Sequence, residues 1–126
     1  MNWNQAQAII KDKIRIGVDL NTKNSKYRFV DSIETEINSQ RYGYSNESGY
    51  VILIGKSNKV SIPWSMLKIC YFQLQSAEGY DGKFFRKHFI KQAQDHPCHV
   101  RVVGQIFVVA GIGFVGEDNK YWLRKS

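Results

Sequence analysis

The period of hydrophobic and polar positions changes several times along this chain. Between Asn4 and Arg15, Ala6, Ile9, Ile10 and Lys13 recur at roughly helical spacing and Gly17 follows as a stop, which predicts an N-terminal helix. Its apolar stripe is thin, so the helix is expected to lean on the body of the protein or on a second subunit. Asn21–Lys26 is polar and reads as a loop. From Tyr27 to Ile62 the pattern is that of strands. Ile33, Thr35 and Ile37 alternate with Glu34, Glu36 and Asn38, the two-residue period of a half-exposed strand. Tyr42-Gly43-Tyr44 and Ser45–Gly49 read as a turn-rich break, and Tyr50–Ile54 as an apolar strand. Gly55-Lys56-Ser57-Asn58 reads as a hairpin turn, with Lys59–Ile62 pairing back. A meander of three or four antiparallel strands results.

Pro63 marks the clearest boundary. Proline suits the first turn of a helix, because its missing N–H has no helical partner there, so a helix is predicted from about Pro63 to Gln75. Trp64, Met66, Leu67, Ile69, Cys70, Tyr71, Phe72 and Leu74 make it apolar nearly all round, as expected of a helix packed on two sides, in the core or between core and dimer interface. Asp81 is placed to cap a helix running to Gln94, with Phe84, Phe85, His88 and Phe89 on one side and Lys83, Arg86, Lys87, Lys91 and Gln94 on the other.

Pro97–Ala110 has two readings. As a strand, its β-branched residues are well placed. As a helix, it has Pro97 in the first turn, Asp95 or His96 as cap and Gly111 after the last apolar turn. Val103, Ile106, Phe107 and Ala110 then share a face, and Arg101 and Gln105 point together to the opposite one. The end signals favour the helix. Ile112–Val115 and Lys120–Arg124 complete the chain as a hairpin around Gly116-Glu117-Asp118-Asn119. The fold class predicted is α+β in one domain: an N-terminal helix and meander over residues 1–62, then a helical segment and terminal hairpin over residues 63–126.

The 126 residues suffice for one domain with a real core, and the 43% apolar fraction fits an ordered chain. No apolar run approaches the ~20 residues that span a bilayer, and Met1-Asn2-Trp3-Asn4 lacks the layout of a signal peptide, so a cytoplasmic protein with no membrane partner is expected. Cys70 and Cys98 sit among apolar neighbours and read as reduced thiols. The net charge of +7 favours an anionic partner, nucleic acid among them.

Candidate chemistry is sparse. The face of Lys83, Arg86, Lys87 and Lys91 can pair with phosphates, or it is a solvated outer face. Arg101 and Gln105, four apart, suit guanine and adenine edges on a helix lying in a major groove, or they are plain surface positions. Tyr42, Tyr44, Tyr50 and Trp64 are candidates to line a small-ligand pocket, with core and dimer interface as the commoner use of such rings. His96-Pro97-Cys98-His99 with Cys70 lacks the spacing of a zinc site. Ser65, His88 or His99, and Asp81 or Asp95 carry no nucleophile elbow, and Gly55-Lys56-Ser57 lacks the upstream glycine of a phosphate loop. No cofactor or metal is expected, catalytic residues are not assigned, and a homo-oligomer is.

From Pro63 onward, the helix ending Val109-Ala110-Gly111 and the wing Ile112–Val115 / Lys120–Arg124 resemble winged helix-turn-helix DNA-binding domains. The resemblance covers about half the chain. It implies a base-reading role for Arg101 and Gln105, and a phosphate role for Lys120 and Arg124. The chain departs from the pattern in its long middle helix and in a third helix with one cation. In character (short, single-domain, poor in motifs) the chain is similar to proteins encoded by bacterial mobile gene cassettes, a resemblance that implies no activity. The functions expected are therefore nucleic-acid binding or regulation without catalysis, or a small-ligand or protein-interaction module that forms a homodimer.

Overall fold

A computed structural model describes residues 1–20, 28–55 and 57–125. The predicted loop Asn21–Lys26 and Lys56 of the predicted hairpin turn lie outside the described residues. The elements follow in order as α1 (Trp3–Lys13), β1 (Arg28–Ser39), β2 (Tyr44–Ile54), β3 (Asn58–Pro63), α2 (Trp64–Gln75), α3 (Gly82–His88), α4 (Ile90–Asp95), α5 (His99–Val109), β4 (Gly113–Val115) and β5 (Tyr121–Leu123). The α+β class, with meander, helices and terminal hairpin in the predicted order, is what this chain adopts.

Helix α1 starts at a capping box. The Asn2 side chain accepts from the Gln5 N–H, and the Gln5 side chain accepts from the Asn2 N–H, each at 2.9 Å. Of its narrow stripe Ala6 and Ile10 are completely buried, Ile9 is half-buried and Lys13 is exposed. The Met1 carbonyl accepts from Tyr71 Oη and Gln75 Nε2, both at 2.9 Å, which ties the N-terminal segment to α2.

The meander forms one antiparallel sheet in the order β1-β2-β3. Two expectations for it need correction. Ser45–Gly49 is not a break but the first half of β2, paired with β1 through Ile37↔Glu47, Glu36↔Ser48 and Thr35↔Gly49. The turn is confined to Gln40–Gly43. Ladder hydrogen bonds involve only the backbone, so exposed polar side chains such as Ser45 and Asn46 do not prevent pairing. The alternation of Ile33, Thr35 and Ile37 is also interrupted. The register shifts between Ser32 and Thr35, where Glu34 takes φ +50°, so Ile37 is buried while Ile33 is 38% exposed.

One hydrophobic cluster joins the sheet to the helices. Val30, Tyr50, Ile52, Val60 and Ile62 meet Ile10 and Ile14, then Met66, Leu67, Cys70, Tyr71 and Leu74 of α2 and Val102, Val103, Ile106 and Phe107 of α5. Of the two placements expected for helix α2, the one wholly inside the core is not adopted within the chain. Ile69 and Phe72 remain 42% and 52% exposed, facing away from the cluster.

The valine-rich segment is a helix. Its last turn closes with the Ile112 N–H donating to the Phe107 carbonyl and the Gly111 N–H to Val108, around Gly111 at φ +81°. Burial of Val102, Val103, Ile106 and Phe107 outweighs the strand preference of these residue types. At its start no side chain of Asp95 or His96 caps it; Cys98 is the N-cap and makes no such bond.

The predicted helix Asp81–Gln94 is two helices. Phe89 sits at φ −131°, ψ 59° between α3 and α4. The break sacrifices little, because the Phe89 N–H still donates to Phe85 and its carbonyl accepts from Ala93. It turns α4 so that Gln92 and Ala93 are buried. The terminal hairpin β4–β5 is pinned to the body by Tyr80 and Tyr121, which exchange both backbone hydrogen bonds at 2.8 and 2.9 Å. Among the described residues no helix is long and apolar enough to cross a membrane.

Candidate nucleic-acid interface

Helix α3 begins where the Asp81 carboxylate accepts from the Phe84 N–H at 2.9 Å, and it ends in Arg86, Lys87 and His88. Cations in the last turn suit the negative end of the helix dipole, so this charge distribution also helps a seven-residue helix to persist. From Gly82 to Gln94 the chain contains no acidic residue. Lys83, Arg86, Lys87 and Lys91 are all exposed. None is ion-paired among the described residues.

The two carboxylates that bracket this strip are already taken. Asp95 accepts from Arg41 Nη2 at 2.8 Å, from Arg41 Nε at 2.5 Å and from Tyr42 Oη at 2.5 Å. The guanidinium first, and then the phenol, hold its acidity at a pKa of about 2. Asp81 lies 3.9 Å from Lys120 Nζ, which also donates to the Glu78 carbonyl at 3.2 Å. Among the described residues, neither of these carboxylates is free to pair with the cations between them.

The strip borders two grooves. One, of about 650 Å³, is lined by Lys83, Phe84, Lys87 and His88 of α3 together with Gln73, Glu78, Gly79, Asp81 and Lys120. The other, of about 510 Å³, lies between the β1–β2 turn and α4 and is lined by Arg41, Tyr42, Tyr44, His88, Phe89, Ile90, Lys91 and Gln92 among others. His88 belongs to both. Its ring stacks on Phe84 with centroids 4.1 Å apart and planes 26° from parallel. Its Nδ1 lies 3.1 Å from the Phe84 carbonyl, an acceptor, which assigns the proton to Nδ1.

The other sequence-derived candidates scatter. Arg101 is exposed, but Gln105 is 3% exposed and donates to Tyr121 Oη at 3.5 Å. The pair does not share a solvent face, because α5 is covered there by β5. Lys120 is half-buried against Asp81 and lies 5.9 Å from the Trp122 ring centre. Arg124 lies on a separate, more apolar groove with Leu74, Phe114 and Trp122. The four aromatic candidates form two groups. Tyr42 and Tyr44, 5.8 Å apart, border the α4 groove, where Gln92 Nε2 donates to Tyr44 Oη at 2.9 Å. Tyr50 and Trp64, 5.2 Å apart, pack with Trp3 beside α1, and Lys11 lies over the Trp64 ring.

Among the described residues, His99 has carbonyls and not carboxylates as its polar neighbours. It is buried against Phe85, with Nδ1 and Nε2 each 3.3 Å from a carbonyl, those of His96 and Ser61. No cluster of metal-ligating side chains occurs among the described residues. Sequence reasoning placed His88 on the apolar side of its helix and gave it no part in binding; the signal was its spacing of four from Phe84, which sets the two rings one above the other. Compared with known proteins, the chain matches no family model, no curated sequence and no solved structure, so geometry alone supports a functional reading.

Proposed function

We propose that this protein binds nucleic acid without catalysing a reaction on it, through the α3–α4 strip. The observation behind this reading is an acid-free run with four exposed cations that have no ion-pair partner among the described residues, and whose flanking carboxylates are occupied by Arg41 and Lys120. Phosphate neutralisation dominates nucleic-acid affinity and is read in its salt dependence. Since Gln105 is buried, the docking mode implied by the winged-helix resemblance does not enter the proposal; the contact surface is the strip itself. A reducing cytoplasm, in which Cys70 and Cys98 stay thiols, is the compartment that goes with this reading.

The test is a salt titration of binding to short random-sequence nucleic acid. Lys83, Arg86, Lys87 and Lys91 acting together give a slope of log affinity against log salt of about −3 to −4. Replacing Lys83 and Lys87 by Gln flattens it by about two. Absence of binding at low ionic strength overturns the reading.

A second reading, a homodimer, is favoured by Ile69 and Phe72 on α2, two large apolar side chains left exposed on one helix. Light scattering at twice the mass of one chain supports it, and a monomer at all accessible concentrations rules it out.

A further inference from the structure

We infer that the strip takes single-stranded rather than duplex nucleic acid, with a base seated on the His88 ring; the inference rests on the nucleic-acid reading above. Two parallel rows run along the strip. Within α3, Lys83 and Lys87 are four apart, and beside them run Phe84 and His88, also four apart; beyond the break at Phe89, Lys91 joins His88 in lining the second groove. The cations are thus set on the rims of grooves that contain rings, not on a flat or convex face. Duplex DNA offers such a surface its phosphates only, because its bases are stacked on one another. A single strand offers phosphates to the lysines and base faces to the rings, the combination that sequence-tolerant single-strand binders use.

The geometry is ready for this. Stacking on Phe84 and the Nδ1 hydrogen bond to the Phe84 carbonyl hold the imidazole in one orientation, so little side-chain freedom remains to be lost on binding. Each groove, at about 650 and about 510 Å³, is within the size range of pockets that enclose a small organic molecule. Phe84 covers one face of the His88 ring, so one base stacks on the open face, and because His88 borders both grooves a neighbouring nucleotide can lie in the adjoining one. Lys120, held at the rim by Asp81 and the Glu78 carbonyl, adds a positioned cation to the first groove. Ring stacking and phosphate pairing do not depend on the sugar, so DNA and RNA strands are both accommodated.

The test measures anisotropy of a labelled mixed-sequence DNA strand, the same strand annealed to its complement, and the RNA of the same sequence, at one low ionic strength. Both single strands are expected to bind at least about ten-fold more tightly than the duplex. His88→Ser weakens single-strand binding by roughly five- to a hundred-fold and leaves duplex binding unchanged, while His88→Phe keeps the preference. His88 is exposed, so neither variant disturbs the core. Lys87→Gln weakens strand and duplex alike. Equal or tighter duplex binding, or a His88→Ser variant with unchanged strand affinity, overturns the single-strand inference while the nucleic-acid reading survives. Failure of all three probes to bind overturns both.

Discussion

The Tyr121 ring lies directly on the backbone of Gly104, where a β-carbon would fall inside the van der Waals surface of the ring atoms. Glycine in the middle of α5 is there to admit β5. Gln105, the next residue, donates to the same tyrosine's hydroxyl. Gly104→Ala is expected to push Tyr121 out and cost about 1–3 kcal/mol through overpacking, although alanine is the better helix former. A urea melt measures the loss, and a variant as stable as the parent would show that the hairpin yields freely.

His99 makes stability depend on pH. Burial pushes its pKa below the ordinary imidazole value, and hydrogen bonds to the Ser61 and His96 carbonyls only partly oppose this. The native state thus binds fewer protons than the unfolded chain below the unfolded value of about 6.5. Stability is expected to be level above that pH and to decline as pH falls from there towards the lower native pKa. His99→Gln lowers stability throughout but removes that decline. Chemical denaturation at a series of pH values compares the two.

Asp95 acts at lower pH with the same sign. Its native pKa of about 2 lies below the ordinary 3.8, so its contribution is complete above about pH 4 and is lost as pH falls towards 2. Asp95→Asn is expected to destabilise at neutral pH and to converge with the parent in acid. Equal stability of the two proteins at pH 7 would mean that the Arg41 and Tyr42 contacts add nothing.

The exposed α2 face is separable from the core. Phe72→Ser is expected to change monomer stability by less than about 0.5 kcal/mol, since the side chain is half in solvent and outside the core cluster. If this face closes a dimer, the same variant scatters light as a single chain.

The elements legible in sequence were those with local punctuation. Pro63 announced α2, Gly111 ended α5, and Gly116–Asn119 marked the last turn. The i, i+4 spacing of Lys83 and Lys87 made the basic face visible without a structure. What could not be read depended on distant partners. Gln105 looked like a surface residue because Tyr121, which covers it, is sixteen positions away. The break at Phe89 was hidden because the amphipathic pattern continues through it, while the side chains that α4 meets beyond it, Tyr42 and Tyr44, come from the distant β1–β2 turn. Tyr42, Tyr44, Tyr50 and Trp64 read as one aromatic set in sequence, yet the stretch of β2 from Tyr44 to Tyr50 sets the two pairs apart.

The bracketing of the basic strip bears on portability. Asp95 is fastened to residues more than fifty positions earlier, and Asp81 to a lysine in the terminal hairpin. Helices of seven and six residues do not hold together alone in water. A synthetic peptide of residues 81–95 would carry every charge of the strip and none of its shape, with the two end carboxylates released to oppose the lysines. Grafting the strip onto another scaffold would require bringing along the β1–β2 turn and the hairpin as its abutments.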